Sequence, residues 1–147
     1  MRLNTQTDYA LRLLMHLAVN PGTLVTIAEV SEHYGISKNH LMKIAQTLGH
    51  LGYIDTVRGR AGGLRLAYPA ARINVGKVVR HIEGDFALVE CFAGRDGACR
   101  IAAACKLTSV LRQAIEAFLD VLDQYSIENL IADNSQLWKL LKSETVR

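Results

Sequence analysis

The chain has 147 residues, half of them hydrophobic, and a net charge of +3. That size suits one compact domain or a small domain with an appended arm, with ample apolar material for a core. No apolar run is long enough to cross a bilayer, and the start, Met1 to Leu14, lacks a signal peptide's cleavage pattern, so a cytoplasmic protein with no membrane partner is expected.

Thr5 to Val19 is predicted to be an amphipathic helix, with Ala10, Leu13, Leu14, Leu17 and Ala18 on one face. Thr5 and Asp8 have the spacing of a capping pair, and Asn20-Pro21-Gly22 breaks the helix. A short helix is next, from Ile27 to Tyr34, capped by Thr26 with Glu29 completing a capping box. Gly35 ends it, and Ser37 caps a third helix running to about Leu51. Two helices joined by a tight turn containing Gly form a helix-turn-helix. Tyr53 to Val57 and Leu64 to Leu66 alternate in polarity around Arg-Gly-Arg-Ala-Gly-Gly, the pattern of a β-hairpin. A basic hairpin after a helix-turn-helix is a winged helix, and Pro69 closes it.

Beyond the wing, Asn74 to Ile82 reads as a short helix with Val75, Val78, Val79 and Ile82 on one face. A cysteine-bearing loop occupies roughly residues 84–106, and a long helix runs from about Leu107 to Gln124. Leu107, Leu111, Ile115, Phe118 and Leu122 form its apolar stripe, which Val110, Ala114 and Val121 widen beyond one monomer's contact face. Ser126 caps a last helix with Ile127, Leu130 and Ile131, and Leu137, Trp138, Leu140 and Leu141 come after it as an apolar tail. The expected fold is mainly α with a small β-hairpin wing. It comprises a winged helix over residues 1–70, a connecting helix and cysteine loop over 71–106, and a long dimerisation helix with a C-terminal arm over 107–147.

Charge is unevenly placed along this plan. Up to Pro69 there are seven Lys or Arg against four acids, and the remainder is balanced at ten of each, so the winged helix is where a polyanion would bind. The third helix opens Ser37-Lys38-Asn39-His40 with Lys43 one turn on, residue types that exchange hydrogen bonds with base edges or reach phosphate. Taken alone, an ordinary solvated helix face explains them equally well. Arg58, Arg60 and Arg65 around a Gly-rich tip are harder to explain as solvation, because a solvated hairpin usually mixes in acids. The candidate DNA-contacting residues are Thr26, Ser37, Lys38, Asn39, His40, Lys43, Arg58, Arg60 and Arg65.

Cys91, Cys99 and Cys105 are the chain's only cysteines, and they fall within fifteen residues. An odd count in such a chain argues against a disulfide framework. Gaps of seven and five residues are wide for a structural zinc site and suit a larger iron–sulfur core. Three thiolates leave one iron to another group, which suits a sensor. Three free thiols in a surface loop is the plainer alternative. A third reading makes Cys105 a redox nucleophile, its pKa lowered by the N-terminus of the long helix, with Cys99 or Cys91 resolving.

Leu3 to Arg12, Tyr34 to Lys43, Val57 to Leu66 and the cysteine triad together resemble the iron–sulfur winged-helix transcriptional regulators of the NsrR/IscR/RirA family, over nearly the whole chain. The resemblance implies a non-enzymatic homodimer paired through the long helix, one cluster per subunit beside the interface, and repression at operator DNA that is relieved when the cluster is modified or lost. A [4Fe-4S] cluster is favoured over [2Fe-2S]. The segment Ser37 to Lys43 is most similar to nitric-oxide-sensing members, making nitric oxide the expected signal. Glu90-Cys91-Phe92 and the first gap are more similar to iron-responsive members. Cluster-assembly members carry a histidine shortly after the third cysteine, where this chain has Lys106, Leu107 and Thr108. An acid at Asp8 is similar to the nitric-oxide-sensing members and is a candidate fourth ligand, possible from the other subunit; its competing task is as an acid at a helix start.

Overall fold

A computed structural model of the chain describes residues 1–93 and 99–142. Among these, the helices are α1 (Thr5–Val19), α2 (Ile27–Tyr34), α3 (Lys38–His50), α4 (Val75–Glu83), α5 (Lys106–Asp123), α6 (Ile127–Ile131) and α7 (Ser135–Leu141), and strands β1 (Ile54–Val57) and β2 (Gly63–Leu66) lie between α3 and α4. Short 3-10 turns occur at Ala70–Arg72, Glu90–Ala93 and Ala102–Ala104. The expected architecture, mainly helical with a two-stranded wing, is the one observed.

α1 is the central helix. Its face of Ala10, Leu13, Leu14, Leu17 and Ala18 is buried, and it packs against α3, α4, α6, α7 and β2. Its cap differs from the expected Thr5–Asp8 pair. Asn4 is the N-cap, its side chain accepting from the Gln6 N–H at 2.9 Å, and Asp8 instead binds Arg12 one turn on. His16 is buried on this helix, packed edge-on against His33 and Tyr34. Neither of its ring nitrogens has a hydrogen-bond partner among the described residues. Burial, reinforced by His33, lowers its pKa to about 4, so the ring is neutral at neutral pH.

The helix-turn-helix forms from local signals. Thr26 Oγ1 accepts from the Glu29 N–H at 3.2 Å while Glu29 accepts from the Thr26 N–H at 2.6 Å. Gly35 ends α2 at φ 65°, and Ser37 Oγ accepts from the His40 N–H at 3.2 Å to start α3. Leu41, Ile44 and Leu48 turn the inner face of α3 into the core. In the wing, Ile54 pairs with Leu66 and Val57 with Gly63. Its turn requires glycine twice: Gly59 sits at φ 108°, and a Cβ on Gly62 would collide with the Val57 carbonyl oxygen. Val25 and Leu64 exchange two backbone bonds, at 2.9 and 2.7 Å, stitching the wing to the entry of α2.

The C-terminal segment is no loose arm. Leu137, Trp138 and Leu141, expected only as an apolar tail, belong to α7, which returns to α1. Asn20 donates to the Leu141 carbonyl at 2.8 Å, and Trp138 Nε1 to the Ile131 carbonyl at 2.8 Å. Ile127, Ile131 and Leu141 join the core built by α1, α3 and α4.

α5 departs from expectation in its surface. Its single expected stripe is two faces. Leu119 is buried, with Ile115, Phe118 and Leu122 packed beside it against the core. Leu107 and Val110, each 58 % exposed, and Val121, 53 % exposed, lie with Ala114 and Ala117 on the outside. α4 braces α5 through Arg80, which grips Asp123 with two nitrogens at 2.5 and 2.8 Å. No helix among the described residues is long and apolar enough to cross a membrane.

Candidate nucleic-acid interface and metal centre

The outer face of α3 and the near edge of the wing line one groove. Asn39, Met42, Lys43 and Gln46 come from the helix, Thr56 and Arg58 from the hairpin. No acid lines it. Asn39, Lys43 and Arg58 are thus brought together as expected, and Arg60 stands exposed at the turn beyond them. Lys38 and His40 are exposed on the first turn of α3. The Thr26 and Ser37 hydroxyls are occupied as helix caps.

Arg65 corrects the picture of three arginines at a tip. It lies on β2 opposite Asp55 and forms an ion pair with it at 3.7 Å, so its charge is partly countered there. Conversely, Met42 and Gln46 line the groove without being among the residues expected from the sequence. Met42 is 56 % exposed, although a methionine within a helix usually reads as core. Their signal was spacing: positions 39, 42, 43 and 46 share one helical face. Asn and Gln can pair bidentately with adenine, and an exposed apolar side chain can meet a thymine methyl.

The cysteines lie between α4 and α5 along the chain. Cys91 is half-buried in the 3-10 turn Glu90–Ala93, its sulfur 3.7 Å from Thr108 Oγ1. Cys105 occupies the N-cap position of α5. The backbone N–H of Thr108, then that of Leu107, then the Thr108 hydroxyl favour its thiolate and lower its pKa. Thr108 thus contacts the Cys91 sulfur directly and favours the charged form of Cys105. Cys99 is exposed, and all three thiols are free. Residues 94–98, the middle of the expected loop, lie outside the described residues.

Among the described residues, no three His, Cys, Asp or Glu side chains converge closely enough to hold a metal ion. Within one chain Asp8 and the thiols thus form no such group among the described residues. The Asp8 carboxylate takes two bonds from Arg12, both 2.9 Å, with both side chains about half exposed. The donor chemistry nonetheless fits an iron–sulfur core: Cys105 sits at a helix N-terminus that favours its thiolate form, and the Cys91 sulfur lies against the first turn of the same helix. A favoured thiolate serves ligation and nucleophilic attack alike.

Comparison with known proteins bears on the enzymatic reading. The chain is 49 % identical over 142 residues to the HTH-type transcriptional regulator NsrR of Bacillus licheniformis, covering 96 % of this chain and 99 % of that one. It is 48 % identical over 143 residues to the HTH-type transcriptional regulator NsrR of Bacillus subtilis, covering 97 % and 98 %. Among solved structures, the oxidized form of Staphylococcus aureus CymR superposes with a TM-score of 0.71 at 25 % identity, over 90 % of this chain and 97 % of that one. IscR of T. potens matches in fold, with a TM-score of 0.74 at 23 % identity over 93 % and 90 %. The relatives matched along the sequence are named as regulators of transcription and not as enzymes, which removes the reading of Cys105 as an enzymatic nucleophile. A family model described as Rrf2, iron-dependent transcriptional regulator, matches residues 3–133, and with the winged helix in place the chain belongs to that family.

Proposed function

We propose that this regulator is a homodimeric repressor that grips operator DNA through the α3–wing groove, and that an iron–sulfur cluster on Cys91, Cys99 and Cys105 sets its affinity. The observation that carries this reading is Thr108. Its hydroxyl, in the first turn of α5, meets the Cys91 sulfur at 3.7 Å, and Cys105 is the N-cap of the same helix, so two of the thiols bear on the start of the helix that braces α4 and the core. Three thiolates favour a [4Fe-4S] cluster, with Asp8 supplied across the dimer as fourth ligand. When bound, such a cluster supplies an iron without a thiolate, open to attack by nitric oxide, the proposed signal. The thiolates themselves join the segment after α4 to the start of α5. Releasing them frees that segment and changes the spacing of the paired recognition helices.

The test is operator binding by anaerobically purified protein, using a duplex selected from a random pool by that protein. Binding is measured before and after stoichiometric nitric oxide, and before and after gentle iron chelation. Nitric oxide is expected to weaken binding by about 5–150-fold, the usual span of a coupling free energy. If only chelation releases DNA, the iron-responsive reading replaces this one.

Dimerisation is assigned to the outer face of α5. Leu107, Val110, Ala114, Ala117 and Val121 recur at heptad spacing, the seam of two paired helices. Because Val110 and Val121 are exposed in one chain, Val110→Asp with Val121→Asp is expected to yield a folded monomer by sedimentation and circular dichroism. Charges at Leu111 or Phe118 would disturb the fold as well, since both are partly buried. Wild-type protein that sediments as a monomer at micromolar concentration overturns the assignment.

A further inference from the structure

We propose that Glu83 is the positioning residue through which the cysteine segment controls α1 and hence the recognition helix. The proposal rests on the cluster-controlled reading above and names its route within one chain.

Glu83 is the last residue of α4. One of its carboxylate oxygens, Oε1, accepts from the Asn4 backbone N–H at 2.7 Å and from the Thr7 hydroxyl at 2.6 Å. Asn4 is the N-cap of α1, and Thr7, in its first turn, is fully buried. The first turn of a helix leaves backbone donors without partners inside the helix and favours nearby negative charge. Glu83 supplies that charge from an element almost eighty residues away in sequence. A glutamate within the chain's own first turn could have done the same locally. The distant one instead ties two segments together.

The tie matters because of where the chain goes after Glu83. Gly84, at φ 74°, turns it out of α4 and into the segment that leads to Cys91. Phe86 in that segment packs against the core. A shift of the cysteine segment therefore acts first on Glu83, and through it on the start of α1. α1 packs directly on α3 and β2, the two elements that build the DNA groove. Asp8, the proposed fourth ligand, adjoins Thr7, so the same carboxylate also orients the turn that presents it. Glu83 touches no thiol and binds no DNA in this scheme.

Three variants test it: Glu83→Ala, Glu83→Gln and Thr7→Val. Because a single oxygen accepts both bonds, Glu83→Gln keeps both acceptor contacts and removes only the charge. Each protein is loaded anaerobically and checked for wild-type cluster absorbance. Operator affinity is then compared between loaded and cluster-free forms, the wild-type ratio being about 5–150-fold. In Glu83→Ala the ratio is expected to collapse to within about twofold, and in Glu83→Gln to persist. A second readout needs no cluster: exchange of the Asn4 amide hydrogen in cluster-free protein should speed about tenfold or more in Glu83→Ala and stay slow in Glu83→Gln. A wild-type ratio retained in Glu83→Ala overturns the proposal, as does a lost ratio in Glu83→Gln with Asn4 still protected. Should Glu83→Ala not fold, Thr7→Val decides, a full wild-type ratio there overturning it. If wild-type protein itself binds equally with and without cluster, the cluster-controlled reading falls, and this inference with it.

Discussion

Replacing any one of Cys91, Cys99 and Cys105 by alanine is expected to abolish the visible chromophore and the stoichiometric iron of anaerobically purified protein. Operator affinity should drop to that of the cluster-free form, about 5–150-fold. The three positions differ in what else they disturb. Cys99 is exposed, so alanine there removes a thiol and little more. Cys91→Ala removes a sulfur whose contact is the Thr108 hydroxyl. Cys105→Ala vacates the N-cap of α5, where Thr108 and Leu107 favour a thiolate, and a small loss of helix stability should accompany it. Equal loss of iron across the three, against unequal changes in melting temperature, is the signature of shared ligation. A protein with all three replaced that still binds iron and sulfide sinks the assignment.

Much of the winged helix was legible in the sequence because its instructions are local. The Thr26–Glu29 capping box, the Ser37 cap and the Gly35 stop each act over three or four residues, and the structure uses all of them. The features that escaped depend on distance. Asn20 reads as a helix breaker, and only the fold reveals that it holds the end of α7. Arg65 reads as a free cation until strand register sets it opposite Asp55. On α5 the apolar positions serve two faces, and which face meets the core depends on where α4 packs. Glu83 looks like an ordinary charged helix end, since its partners Asn4 and Thr7 lie at the far end of the sequence. The cysteine triad is conspicuous in sequence, but spacing alone does not say how three side chains come together. One chain's described residues do not bring three ligands together.

The wing carries the second large effect. Arg58→Ala combined with Arg60→Ala is expected to weaken operator binding by about 100-fold, as two charge-assisted contacts at about 1.5 kcal/mol each are lost. The salt dependence distinguishes the kind of contact. Each lost phosphate contact lowers the slope of log affinity against log salt by about one unit, so the double variant should lose about two. Lys43→Ala should lose one. Arg65→Ala should lose much less, because Asp55 already holds that guanidinium. Gln46→Ala offers the contrast. An uncharged side chain in the groove leaves the salt slope unchanged, and if it reads a base its removal relaxes specificity at one position by about 1–3 kcal/mol. If the Arg58 and Arg60 variant binds with unchanged affinity and unchanged slope, the DNA surface lies elsewhere. The exposed groove between α3 and the wing would then need another occupant, despite its basic, acid-free lining.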